Sequence, residues 1–230
     1  MGTGYPGYPG QQGQVMSPPM APTAPPTVSV PVLLGVSAWR LLIVVFALIG
    51  FGTAVNKFGF DGAMPGLSQQ ASLFTALVYF GLMCYPLFTV GRRHEPVTPW
   101  WRGATLVVLV LVCVTFMTML SGRLDTVDSL FEHLLTPLVV LLDWLFVGRN
   151  QAKTRWWHPL TWVVFPALYL GYFVLAEVDL YGSFLDPSDS GFATTVLLFV
   201  LAVIALGYLL YGIGKLRAAL SSAIRGGFAG

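Results

Sequence analysis

Six apolar segments follow one another along the chain, each close to the ~20 residues a helix needs to cross a hydrocarbon core. They run approximately over 35–56, 70–90, 103–121, 129–147, 159–177 and 192–214. The breaks between them carry charged and turn-forming residues: Arg92-Arg93-His94-Glu95-Pro96, Gly148-Arg149-Asn150 and Asp186-Pro187-Ser188-Asp189. Strands of a membrane barrel would instead show ~10-residue segments of strict alternation, which the pattern lacks. The expected fold is therefore all-α and integral to a membrane, a six-helix transmembrane bundle over residues 34–216. Pro86, Pro137 and Pro166 fall inside segments and are compatible with spanning helices, where neighbours satisfy freed carbonyls.

The ends of the chain differ in kind. Residues 1–33 open with repeated Tyr-Pro-Gly and continue Gln- and Pro-rich, which predicts a disordered cytoplasmic tail. This stretch has neither the cations nor the apolar run of a signal peptide, and Pro6 breaks the myristoylation pattern that Gly2 opens. Residues 217–230 read as a short basic cytoplasmic tail.

Composition narrows the class further. Of 230 residues 56% are hydrophobic and 10% charged, against ~25% charged in an ordinary soluble domain. The net charge of +2 matters less than its distribution. Of the 12 cations only Lys57 and Arg123 fall on the side opposite the termini, and Asp61, Asp125, Asp128, Asp179, Asp186 and Asp189 fall with them. Cations in short loops stay cytoplasmic, so both termini are expected inside, in a plasma (inner) membrane. Trp39, Trp100, Trp101, Trp156 and Trp157 lie at the same inner helix ends, where indole rings anchor among headgroups. Cys84 and Cys113 sit within apolar runs as packing residues.

Ionisable groups inside a membrane are costly and mark functional positions. In the fourth segment Ser129, His133, Thr136 and Asp143 share one helical face, expected to point into the bundle. Pro137 offers no N–H and its ring opposes the carbonyl of His133, which predicts a local kink there. The second segment has a matching stripe, Ser68, Ser72, Thr75 and Tyr79. Counting ~1.5 Å per residue, Thr75 and His133 lie at similar depth in the outer half of the membrane. Asp143 lies near the inner end, within snorkelling reach of Arg149 or Lys153, and reads as an inter-helix clamp. His94 and His158 read as surface or anchoring residues. The three histidines have no ligand spacing, so neither a metal nor another cofactor is expected. Phosphate-binding loops, dinucleotide fingerprints and nucleophile elbows are missing from the sequence.

The run Glu132-His133-Leu-Leu-Thr136-Pro137-Leu-Val-Val-Leu-Leu-Asp143-Trp144 resembles the histidine-to-Pro-to-Asp-Trp pattern of a prokaryotic six-transmembrane-helix family. Trp157-His158-Pro159, Phe165-Pro166 and Tyr181-Gly182-Ser183-Phe184-Leu185-Asp186 continue the likeness. That family resembles, more distantly, the eukaryotic androgen-induced membrane hydrolases, which cleave fatty acid esters of hydroxy fatty acids with an intramembrane threonine and histidine. The resemblance covers roughly residues 35–214 and implies Thr75 as nucleophile and His133 as base. Val78 stands where both families usually carry asparagine.

The leading expectation is a membrane-embedded hydrolase acting on a lipid-like ester. Ser72, Tyr79, Thr136, Asp143 and Asp186 are its candidate supporting polar residues, Asp186 as the group that orients the histidine. Membrane lipids are the expected partners and nucleic acid is not; the oligomeric state is left open. Two alternatives stand beside it: a non-catalytic sensor or scaffold whose polar cluster locks helices, and a transporter relaying protons through His133 and Asp143.

Overall fold

A computed structural model describes residues 1–3, 28–182 and 184–227. Among them every regular element is helical. Six helices are long and apolar enough to cross a membrane. We label them α1 (Val30–Phe58), α2 (Leu67–Phe88), α3 (Trp100–Thr118), α4 (Val127–Val147), α5 (His158–Leu175) and α6 (Phe192–Gly227). The disordered tail expected over residues 1–33 falls largely on residues 4–27, outside the described residues. The first helix starts at Val30, ahead of the expected boundary, with Pro31 in its first turn, where a missing N–H costs nothing. The last helix runs through the expected tail as far as Gly227, since nothing in Lys215–Ser222 breaks a helix.

Helix ends follow local chemistry. Gly59, at φ +74°, ends α1 and returns its N–H to Val55 O; a short turn, Phe60–Ala63, extends that span. Pro65 and Gly66 separate it from α2, and Pro96 and Pro99 lead into α3. Helix α3 is the central one: Arg102–Leu109 is buried without interruption, so this helix has no single apolar stripe. Around it pack Ile43 and Ala47 of α1, Tyr79 and Leu82 of α2, Val140 and Trp144 of α4, Trp162 of α5 and Val203 and Leu210 of α6.

The distribution of polarity is the reverse of a soluble protein's. Leu41, Val45 and Leu48 of α1, Leu77 and Phe80 of α2, and Leu197, Leu198 and Leu201 of α6 are exposed on the outside. Arg40, Ser72, Thr75, Arg102, Glu132, Thr136 and Asp143 are buried at the centre. Water would penalise so much apolar surface, whereas a hydrocarbon solvent is matched by it. The protein is an integral membrane protein that crosses the bilayer several times.

Candidate functional site

Buried polar groups form two separate sets, one at each end of the bundle. The set nearer the chain termini is an ion cluster. Arg102 donates through Nε to Asp143 Oδ2 (2.7 Å), through Nη2 to Asp143 O (2.7 Å) and through Nη1 to Asn150 Oδ1 (2.7 Å). Tyr79 donates its hydroxyl to the same Asp143 Oδ2 (3.0 Å). Arg40 donates to Leu82 O (2.8 Å) and to His94 O, while Glu95 Oε2 stands 3.8 Å from Arg40 and 3.6 Å from Arg102. Glu95 Oε1 also accepts the Arg149 N–H (2.9 Å). Two guanidinium groups thus face two carboxylates across α1, α3, α4 and the loop between α2 and α3.

The clamp expected of Asp143 exists, with a correction to its partner. Arg102 holds the carboxylate, where Arg149 or Lys153 was expected. Arg102 follows two tryptophans and so reads in sequence as an interfacial cation, yet its position on the buried central helix turns it inward. Arg40, counted in sequence among the cations on the side of the termini, is fully buried. The predicted polar stripes of α2 and α4 do meet, and Tyr79–Asp143 is the hydrogen bond that joins them.

At the opposite end the helices part around a cavity of about 580 Å³. Lys57, Arg123, Asp125 and Asp128 stand at its mouth. Each cation there has an acidic partner: Lys57 Nζ lies 3.5 Å from Asp128 Oδ2, and Arg123 Nε 3.0 Å from Asp125 Oδ2. Ser68 and Gln69 of α2 with Ser129, Glu132 and His133 of α4 contribute polar groups to the lining. The remaining lining is chiefly apolar, from Val112 and Phe116 of α3, Val163, Pro166 and Leu170 of α5, and Phe199 and Val203 of α6. Leu111, Val163 and Val203 are the lining residues furthest along their helices from the mouth. The bottom of the cavity is therefore greasy; most of its polar groups sit on α2, on α4 and at the mouth, with Thr115, Tyr169 and Tyr181 on other walls.

His133 is the predicted site residue that reaches this cavity. Its Nδ1 lies 3.1 Å from Ser129 O. A carbonyl can only accept, so Nδ1 carries the hydrogen and Nε2 keeps the lone pair of a base. The ring stacks on Phe116, centroids 3.6 Å apart and planes 16° apart, which fixes its orientation. Ahead of Pro137 the backbone widens into a π turn over Phe131–Leu135, with the Thr136 N–H reaching back to Phe131 O. The distortion predicted at Pro137 takes this form, and the wide turn carries both Glu132 and His133.

Thr75 is fully buried, and its hydroxyl donates to Ala71 O in its own helix (2.7 Å). The wall that α2 gives the cavity is Leu67, Ser68 and Gln69, about two turns before Thr75. No hydrogen bond joins Thr75 to His133 among the described residues. Ser72 and Thr136 are buried, and neither side-chain oxygen has a hydrogen-bond partner among the described residues. Asp186, expected to orient the histidine, accepts the backbone N–H and the hydroxyl of Ser188 (both 2.8 Å), and these bonds hold its carboxylate below the ordinary range.

Two residues of this end escaped the sequence reading. Glu132 sits at the start of a segment and reads as an outer-end acid, but it is 1% exposed and faces the cavity lining. Gln69, beside the predicted stripe, donates Nε2 to Glu132 Oε2 (2.7 Å). An acid in the second turn of a spanning helix, with an amide at matching depth on another, is the signal that could have paired them. No protein-family model, no curated protein and no solved structure matches this chain.

Proposed function

We propose that this membrane protein draws a lipid-like molecule into the cavity between the six helices. The supporting observation is the cavity itself: its volume lies within the ~300–1,000 Å³ of small-molecule sites, and its deepest walls are apolar while Glu132 and His133 stand nearer the mouth. An acyl chain would lie towards Val163 and Val203, with its polar end beside Glu132 and His133. The cation distribution supports a mouth on the outer side and cytoplasmic termini, in a plasma membrane. Protein purified in mild detergent should carry a stoichiometric single-chain or double-chain lipid detectable by native mass spectrometry. Replacing Ala167 on the lining with Trp should displace it. Retention of the same lipid by Ala167→Trp would place it on the outer surface.

Ester hydrolysis is a second reading of the same cavity, favoured by the tautomer of His133 and by the family resemblance. For that reaction Thr75 Oγ, buried outside the lining, would have to leave Ala71 O and reach the cavity, bonding to the ester carbonyl carbon while His133 Nε2 takes its proton. That proton then goes to the leaving alcohol, and water releases the acid from the acyl-threonine by the same base. The expected result is hydrolysis of a long-chain ester by the purified protein, at least about 100-fold slower in Thr75→Ala or His133→Ala, with the double variant no worse than either. Turnover unchanged in both single variants, or lipid bound and never cleaved, would leave a binding protein without catalysis.

A further inference from the structure

An acyl chain gains little by moving from bilayer hydrocarbon into an apolar cavity, because lipid tails are as apolar as leucine side chains. Selection among amphiphiles must therefore rest on the polar wall. The charges near the mouth are already matched, Lys57 to Asp128 and Arg123 to Asp125. Glu132 is the acid of the lining that has no cationic partner. Its Oε2 accepts from Gln69 Nε2, and its Oε1 is buried with no hydrogen-bond partner among the described residues. The hydroxyl of Ser68, close to the same carboxyl, has one hydrogen and directs it to Gln69 Oε1 (3.1 Å). His133 gives its Nδ1 hydrogen to Ser129 O.

The neighbouring backbone is shaped around this pair. A Cβ on Gly50 of α1 would come within 2.7 Å of Glu132 Cγ, and one on Gly66 within 2.0 Å of Gln69 Oε1. Helix α1 can thus lie against Glu132 only where it has no side chain, which holds the carboxyl in place. Glu132 is five residues beyond the start of α4, about 8 Å below the helix end by rise per residue. At that depth a polar head can stay near the mouth while its chain extends into the apolar part.

We infer that Glu132, presented by Gln69, recognises the ammonium head of a single-chain amphiphile whose tail fills the cavity. The inference rests on the lipid-binding reading and adds the chemical class of the head. An ammonium group supplies both things the geometry lacks, a donor for Oε1 and a positive charge for an acid without a partner. An alcohol supplies only the first, and a carboxylate supplies neither.

The test is calorimetric titration of the full chain in phosphatidylcholine nanodiscs with dodecylamine and with dodecanol, each corrected by empty discs. Dodecylamine should bind at least about tenfold tighter than dodecanol, the size expected of one charge-assisted hydrogen bond. Glu132→Gln should bring the two within about threefold of each other, chiefly by weakening the amine. If that variant does not fold, the comparison in the parent protein decides by itself. Gly50→Ala, which keeps the carboxyl but pushes it aside, should also weaken the amine selectively. Equal binding of amine and alcohol by the parent overturns the inference and leaves the cavity a lipid site. Binding of neither overturns the lipid-binding reading as well.

Discussion

Asp143 and Arg102 show what a buried charge costs and what holds it. Taken singly, either would be expelled from the bundle centre; together, with Tyr79 donating to Asp143 Oδ2 and Asn150 accepting from Arg102, they can remain. Asp143→Asn leaves Arg102 and Arg40 facing Glu95 alone and should lower stability by about 3–5 kcal/mol, read as a fall in the thermal midpoint in detergent. Adding Arg102→Met should recover part of that loss, since the second change removes the charge that the first left unpaired. Strictly additive losses would show that the two side chains do not act as a pair. The inward face of α4 was legible from sequence because Ser129, His133, Thr136 and Asp143 fall at helical spacing. Their partners were less so. Arg102 and Arg40 lie beside tryptophans, and cations there usually reach for headgroups, so only their hydrogen bonds to α2, α4 and the adjoining loops show them to be internal.

Among the elements, α4 departs furthest from a regular helix. Its π turn carries two ionisable residues, Glu132 and His133, and both line the cavity. The sequence signals a distortion through Pro137 and leaves its form open. The loop between α2 and α3 is the second irregular element that matters, because its Glu95 lies over the ion cluster. Burial holds the neighbouring His94 below its ordinary 6.5; the attraction of Glu95 opposes this, and Arg40, Arg149 and Arg102 add to it. The folded loop therefore favours the neutral ring. As pH falls below about 6.5 the unfolded chain takes up a proton that the folded chain does not, so stability should decline there and level off once the folded ring is also protonated. Above pH 6.5 His94 should contribute no slope. His94→Gln should flatten the decline in thermal midpoints measured between pH 7 and pH 5; an unaltered decline would assign it to other groups.

For the molecule as a whole, six spans were readable because charged and turn-forming residues separate the apolar runs, and most helix ends lie within about five residues of the expected ones, the exception being the last helix, which continues to Gly227. The cavity was not readable. It arises where the six helices diverge, and no single segment records that divergence. Topology can be checked directly: reporter fusions after residues 97 and 152 should lie in the cytoplasm, and those after 63, 125 and 187 outside. A cytoplasmic signal at 187 would contradict either the orientation or the count of crossings.

The central claim, that a lipid-like chain occupies the interior, is tested most directly by photo-crosslinking. A long-chain amphiphile carrying a diazirine near its tail end would be equilibrated with the protein in nanodiscs, activated, and its adducts mapped by peptide mass spectrometry. A chain in the cavity predicts adducts on Val112, Val163, Leu170 and Val203, which line it, and their loss in Ala167→Trp. Adducts confined to Leu41, Val45, Leu77 and Leu201, which face outward, would contradict the account.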